Sequence, residues 1–326
     1  MATIRDVAKR AGVSVATVSR VLNETGYVHA DTKAAVKKAI EELNYKPNYV
    51  ARSLYQKSSR LIGLILPDIT NPFFPELARA VEDVAHQYGY TVVLCNSDGD
   101  LEKEKHYLDV LTQNHADGLI VTTNRQNNLN YINLNIPVVA LDRPLHESIP
   151  EVCADHYGGG KMATEYLIRR GCNFIAHVRG PGQLSPADER CRGFVNAAEK
   201  AGVPFYIVES QFDITISEQK VSELLDTYPR IDGIFAGNDL IAVAAVKVAL
   251  KRGISIPEEL QVIGFDGIPL SACFYPSITT IVQPIYEMGQ CATKLLIQLI
   301  TNQGVTAKKH CLPVKLVERE TTKRMG

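Results

Sequence analysis

The sequence predicts an all-α helix-turn-helix head over residues 1–46, a connecting segment over 47–59, and a two-lobed α/β body with parallel sheets over 60–326. Three observations predict it. Three short stretches of helical apolar periodicity open the chain, the first two separated by Gly12-Val13-Ser14. From Leu61 onward, short apolar strands alternate with helices in two successive series. Charge divides at the same place: residues 1–60 hold eleven Lys/Arg against five Asp/Glu, the remainder 24 against 31. A basic head suits phosphate binding, and an acidic body is repelled by it.

In the head, Ile4, Val7, Ala8 and Ala11 recur at the spacing of one helix face. Thr3 and Asp6 form a capping box, and Gly12 closes the helix. Ser14 caps a second helix whose inward residues are Val18, Val21 and Leu22, leaving Val15, Ala16, Thr17, Ser19 and Arg20 outward. A third helix, about Asp31 to Asn44, buries Val36, Ala39, Ile40 and Leu43. Such a small core serves to hold one helix rigid enough to enter a DNA major groove.

In the body, strands are expected at Leu61–Leu66, Thr91–Cys95, Gly118–Thr122 and Val138–Leu141. A second series follows at Phe174–Val178, Tyr206–Glu209, Gly233–Ala236 and Gln261–Phe265, with a short strand at Thr279–Val282. Helices between them include Pro75–Tyr88, Glu102–Asn114, Gly158–Arg170, Arg190–Ala201, Ser217–Tyr228 and Asp239–Lys251. This alternation implies parallel sheets with right-handed crossovers and a cleft lined by strand C-terminal ends. The polar residues after the strands include Asn71, Asn96, Asp98, Asp142, Arg143, Arg179, Asn238, Asp239, Asp266 and Gln283, with Phe73 and Phe74 beside Asn71. Amides, carboxylates and guanidinium groups match the vicinal hydroxyls of a sugar, and aromatic faces pack on its C–H surface. Singly, Asn71 before Pro72 or Asp239 at a helix start passes as a turn or cap; together they point to a ligand.

Composition excludes other classes. No run approaches the ~20 apolar residues that span a bilayer, and the polar N-terminus carries no signal-peptide pattern. Seven cysteines, scattered and never in CxxC pairs, suit reduced thiols in a cytoplasmic protein, with no disulfide frame and no metal site. The eight histidines form no HExxH or Ser-His-Asp signature. Gly158-Gly-Gly160-Lys161 lacks the flanking Gly and Ser/Thr of a phosphate loop, and reads as a glycine-rich helix start packed on a sheet. No catalytic residue, cofactor or enzymatic activity is expected.

The run Thr3-Ile-Arg-Asp-Val-Ala-Lys-Arg-Ala-Gly-Val-Ser-Val-Ala-Thr-Val-Ser-Arg-Val-Leu-Asn23 closely resembles the opening of LacI/GalR-type transcription repressors. So do Asn44-Tyr45-Lys46-Pro47-Asn48, Val50-Ala51-Arg52-Ser53-Leu54 and Gly63-Leu64-Ile65-Leu66-Pro67-Asp68. Asn71-Pro72-Phe73-Phe74 and the cleft residues are most similar to ribose operon repressors and ribose-binding proteins within that family. The resemblance implies a type I periplasmic-binding-protein-like body, with an N-lobe of about 60–157 plus 285–315 and a C-lobe of about 158–284 plus 316–326. It assigns base reading to Val15, Ala16 and Arg20, and backbone positioning to Ser14, Thr17, Asn23, Tyr45 and Asn48. Asn48 to Tyr55, with Arg52, matches the hinge helix that folds on operator binding, and Leu54 the residue inserted into a minor-groove step.

Around the sugar the resemblance puts Asn71, Phe73, Phe74, Asp142, Arg143, Arg190, Phe212, Asn238, Asp266 and Gln283. Arg192 is a rival to Arg190, and Asn124 a further possibility. His29 stands where the family usually caps the third helix with Ser or Thr. The C-terminus carries no leucine heptads like the tetramerising tail of the lactose repressor, so a homodimer on palindromic double-stranded operator DNA is expected. The implied function is a sugar-responsive operon repressor, with D-ribose or a close derivative as effector. The alternative is a global carbon catabolite regulator that takes a serine-phosphorylated carrier protein as corepressor.

Overall fold

The computed structural model describes residues 2–45, 58–123, 129–304 and 307–324. These fall into two units, Met1–Ser59 and Arg60–Gly326. In the first, α1 (Ile4–Ala11), α2 (Val15–Asn23) and α3 (Ala30–Glu42) enclose a core centred on the fully buried Val7, Val18 and Val36. The α1 capping box is closed in both directions: Asp6 N donates to Thr3 Oγ1 at 3.4 Å and Thr3 N to Asp6 Oδ2 at 2.8 Å. Ser14 Oγ accepts from Thr17 N at 3.1 Å and so starts α2. His29 precedes α3 without a side-chain cap, its Nδ1 lying 3.4 Å from Asp31.

The second unit holds two six-stranded sheets. The first comprises β1 (Leu61–Leu66), β2 (Thr91–Asn96), β3 (Gly118–Val121), β4 (Val138–Leu141), β5 (Glu151–Ala154) and β11 (Lys309–Leu312). Its order is β11-β5-β4-β3-β1-β2, every pair parallel. The second comprises β6 (Ile175–Arg179), β7 (Phe205–Glu209), β8 (Gly233–Ala236), β9 (Gln261–Asp266), β10 (Thr279–Val282) and β12 (Lys315–Val317). Its order is β12-β10-β9-β8-β6-β7, with only β12 antiparallel to its neighbour. Leu61–Leu66 reads as an unbroken apolar run because both faces of a parallel sheet are covered. Ile62, Leu64 and Leu66 face one core, Ile65 the other.

The covering helices are α4 (Phe73–Gln87), α5 (Leu101–Gln113), α6 (Leu129–Ile132), α7 (His156–Arg169), α8 (Ser185–Ala201), α9 (Ile214–Thr227), α10 (Asp239–Lys251), α11 (Pro269–Cys273) and α12 (Ile285–Ile300). The chain passes between the sheets three times: after β5, after β10 and between β11 and β12. α4 and α8 start earlier than their sequence expectations of Pro75 and Arg190. Both prolines, Pro75 and Pro186, sit in a first turn, where a missing N–H costs no helical hydrogen bond. β5, β11, β12 and α12 were not among the expected elements.

Candidate functional site

Strand ends of both sheets build one small, buried cavity. Its lining is Asn71, Phe73, Phe74, Asp142, Arg143, Leu184, Pro186, Arg190, Phe212, Asn238, Asp266 and Gln283. All ten pocket residues expected from the sequence are therefore brought together, and Leu184 and Pro186 join them. Arg192 is instead exposed and paired with Glu189, while Arg179 pairs with Asp188 away from the cavity. An outer cleft of about 1070 Å³ shares Asn71, Phe74, Arg143, Leu184 and Phe212, and adds Asp68, Thr70, Asp98, Gln183, Gln211 and Asp213.

Each wall has a local cause. Asn71 Oδ1 accepts from Phe73 N at 3.1 Å, which turns the chain into α4 and sets Phe73 and Phe74 edge to face, 5.1 Å apart. The Arg143 guanidinium lies over the Phe74 ring at 5.7 Å. Asn238 caps α10, its Oδ1 accepting from Ile241 N at 2.9 Å. Asp142 (φ 66°) and Asp266 (φ 109°) both hold left-handed backbone, a strain that concentrates at binding sites. Asp239 fixes the Asp266 turn: its Oδ2 accepts from Gly267 N and Ile268 N, both at 2.8 Å, and its Oδ1 from Thr280 Oγ1 at 2.5 Å.

Four charges share this space at 4–6% exposure: Arg190, Asp266, Asp142 and Arg143. Arg190 Nη1 donates to Gly237 O at 2.6 Å, its Nη2 lies 3.3 Å from Asp266 Oδ1, and its guanidinium stacks 3.8 Å above Phe265. Gln283 Nε2 also donates to Asp266 Oδ1, at 2.7 Å. Gln283 Oε1, though buried, has no hydrogen-bond partner among the described residues, which leaves an acceptor for a ligand hydroxyl. Burial pushes the Asp266 carboxyl up to about 6, against the opposing pull of Arg190 and Gln283. Burial likewise raises Asp142, but His156, Arg143 and Arg190 outweigh it and hold that carboxyl below its ordinary value. Burial and then Asp266 push Asp239 up to about 8.

Sequence reasoning missed the supports behind the pocket. Asp239 looked like a helix start, and His156 belonged to no motif. Gly160, in the stretch that resembles a phosphate loop, instead lets α7 lie against α8: a Cβ there would run into the Arg190 carbonyl. Among the described residues no three His, Cys, Asp or Glu side chains gather as a metal site, and no helix is long and apolar enough to cross a membrane.

In the first unit, Val15, Ala16 and Arg20 are exposed on α2, Ser14 is exposed at its cap, and Thr17 is half-buried. Val15, an apolar side chain in the first turn of a helix, is 41% exposed. Asn23 is half-buried with Nδ2 on Ser19 Oγ at 3.2 Å, and Tyr45 packs on the head core. Asn48, Arg52, Leu54 and Asn124 lie outside the described residues.

A three-helix head joined to a two-sheet body with a polar interlobe pocket defines a ligand-responsive DNA regulator. Residues 3–48 match the bacterial regulatory proteins of the lacI family, and residues 59–320 match periplasmic binding proteins and the sugar binding domain of the LacI family. The chain belongs to the LacI family. It is 53% identical over 323 residues to the ribose operon repressor of Halalkalibacterium halodurans, covering 99% of this chain and 98% of that one. It is 46% identical to the ribose operon repressor of Bacillus subtilis over 325 residues, 99% of both chains. Among solved structures, the lac repressor dimer bound to operator and the anti-inducer ONPF matches with TM-score 0.90 at 29% identity, covering 98% of this chain and 99% of that one. A LacI family regulator from Enterococcus faecium with bound ribose matches with TM-score 0.74 at 33% identity, covering 82% of this chain and all of that one.

Proposed function

We propose that the chain is a cytoplasmic repressor of a ribose-utilisation operon. It acts as a homodimer on palindromic double-stranded operator DNA, and its operator affinity changes when D-ribose or a close derivative enters the interlobe pocket. It binds and transmits; it catalyses nothing and needs no cofactor. The observation that carries this reading is the buried cavity that Asn71, Asp142, Arg143, Arg190, Asn238, Asp266 and Gln283 line together with the Phe73–Phe74 pair. Fixed donors and acceptors on all sides suit a compact neutral polyol, and the edge-to-face rings suit its C–H surface. The bound ribose of the Enterococcus faecium relative supports the same ligand. A cavity already filled with sugar-complementary groups favours this reading over a phosphorylated carrier protein as sole effector.

On the DNA side, Val15 and Ala16 offer apolar contacts to base edges and Arg20 a guanine contact, while Ser14, Thr17, Asn23, Tyr45 and Asn48 contact the phosphates, and the hinge segment brings Arg52 to the DNA and Leu54 into the minor groove as a wedge. Sugar and operator then compete or cooperate through one coupling free energy, about 1–3 kcal/mol in such proteins, and reciprocally. Titrating operator with and without ribose is expected to shift affinity roughly 5–150-fold, and operator is expected to shift ribose affinity by the same factor. An operator affinity indifferent to ribose would remove ribose as the effector.

The pocket also sets a pH dependence. A sugar hydroxyl donating to Asp266 is held more strongly by the ionised carboxylate, whose pKa in the ligand-free protein is raised to about 6. Binding therefore releases a proton below that value. Ribose affinity is expected to be full well above it and to fall by up to about tenfold per pH unit below it. Calorimetry across this range, in buffers of different ionisation enthalpy, counts the proton; a flat profile would exclude ionisation of Asp266 from ribose binding.

A further inference from the structure

His156 is the first residue of α7, just past the point where the chain leaves the first sheet, and it is not among the residues lining the cavities. Its ring is buried against Phe265, centroids 5.9 Å apart. His156 Nε2 lies 2.9 Å from Asp142 Oδ1, and Arg190 Nε donates to His156 Nδ1 at 3.3 Å. A guanidinium has donors only, so Nδ1 must present its lone pair. The ring is then neutral, carries its hydrogen on Nε2 and donates it to Asp142. One tautomer satisfies both neighbours, and either alternative protonation sets two N–H groups against each other at Arg190.

The two neighbours come from different halves of the body. Asp142 follows β4 of the first sheet; Arg190 stands on α8, which packs with the second. We propose that His156 is a positioning residue for the sugar: it bridges Asp142 and Arg190 and aims both at one ligand. The inference rests on the sugar reading of the pocket. Without the ring, Asp142 Oδ1 and Arg190 Nε lose this shared partner. Arg190 keeps Gly237 and Asp266, so it stays in the wall but loses the contact that fixes its Nε edge.

Two substitutions in the full chain test this. His156→Leu fills the space with neither donor nor acceptor. His156→Gln offers an amide N–H toward Asp142 and a carbonyl toward Arg190. Ribose affinity by calorimetry is expected to fall about 10–100-fold in H156L and to recover most of that loss in H156Q. Nitrogen-15 NMR of histidine in the unaltered protein is expected to show the Nε2–H tautomer at this position. Equal affinities in H156L and H156Q, or a ring protonated on Nδ1, would overturn the bridge. Should H156L fail to fold, H156Q and the NMR tautomer decide the matter: Gln affinity near that of the unaltered protein upholds the bridge, and a loss as large as about 100-fold overturns it. Absence of ribose binding by the unaltered protein is the separate failure of the sugar reading, and takes this role with it.

Discussion

Replacing Arg190 with Ala is expected to abolish measurable ribose binding and to lower the melting temperature of the body by on the order of 10 °C, with operator binding retained but indifferent to ribose. Arg190 gives hydrogen bonds to His156 and Gly237, approaches Asp266 at 3.3 Å and lies on Phe265. Removing one partner of a buried charge pair costs about 3–5 kcal/mol, because the other is left uncompensated. Here that other is Asp266, whose carboxyl burial already raises to about 6. Without the guanidinium its pKa climbs further, and protonation returns part of the loss. A carboxyl raised in the folded state binds more protons there than in the unfolded chain, so stability falls as pH rises from the unfolded value through the folded one. The deficit of R190A against the parent is therefore expected to be larger in mild alkali than in mild acid. Scanning calorimetry at both pH values measures this, and R190K, which restores charge without the planar fork, should recover stability more than ribose affinity. An R190A protein that still binds ribose within about threefold of the parent would mean the sugar sits elsewhere.

How much of this was legible follows from which physical signal each residue leaves. Central parallel strands are covered on both faces, so β1, β3 and β8 stand out as apolar runs whatever surrounds them. β11 and β12, at sheet edges and only four and three residues long, leave no run and no alternation to find. Glu151–Ala154 is equally short, and its pairing with β4 is set by tertiary contacts. Among the pocket residues, Asp142, Asn238, Asp266 and Gln283 could be read because each is a polar side chain at or just past the C-terminal end of a strand, and Asn71 because it stands in the loop that follows β1. Arg190 and Phe212 carry no such signal: one lies within a helix, the other in a loop, and only the family resemblance brought them in. His156 and Asp239 escaped altogether as supports. Their work is to hold other side chains, and a buried hydrogen-bond partner has no period, no spacing and no neighbour in sequence that betrays it.

Substituting Val18 with Asp is expected to eliminate specific operator binding while leaving ribose affinity in the absence of DNA within about twofold of the parent. Val18 is fully buried with Val7 and Val36 in a core whose described members all belong to the head. Burying an unpaired carboxylate there costs several kcal/mol, and a unit this small has little stability in reserve. Among the described residues the four cores of the body are built from body residues, so the sugar pocket is expected to keep its frame. Arg20→Ala is the necessary partner experiment. Arg20 is exposed, so its loss should leave the head folded and, on the proposed guanine contact, weaken specific binding by only about 1–3 kcal/mol. Circular dichroism, DNA-binding anisotropy and ribose calorimetry on both variants separate unfolding of the head from loss of a base contact. Reciprocity supplies the sharper check. If operator and sugar are linked by one coupling energy, saturating operator must shift ribose affinity in the parent and in R20A at high enough DNA concentration, but not in V18D, whose head no longer engages DNA specifically. A ribose affinity in V18D that still responded to operator would break that linkage, since DNA would then be reaching the body by some route other than the head.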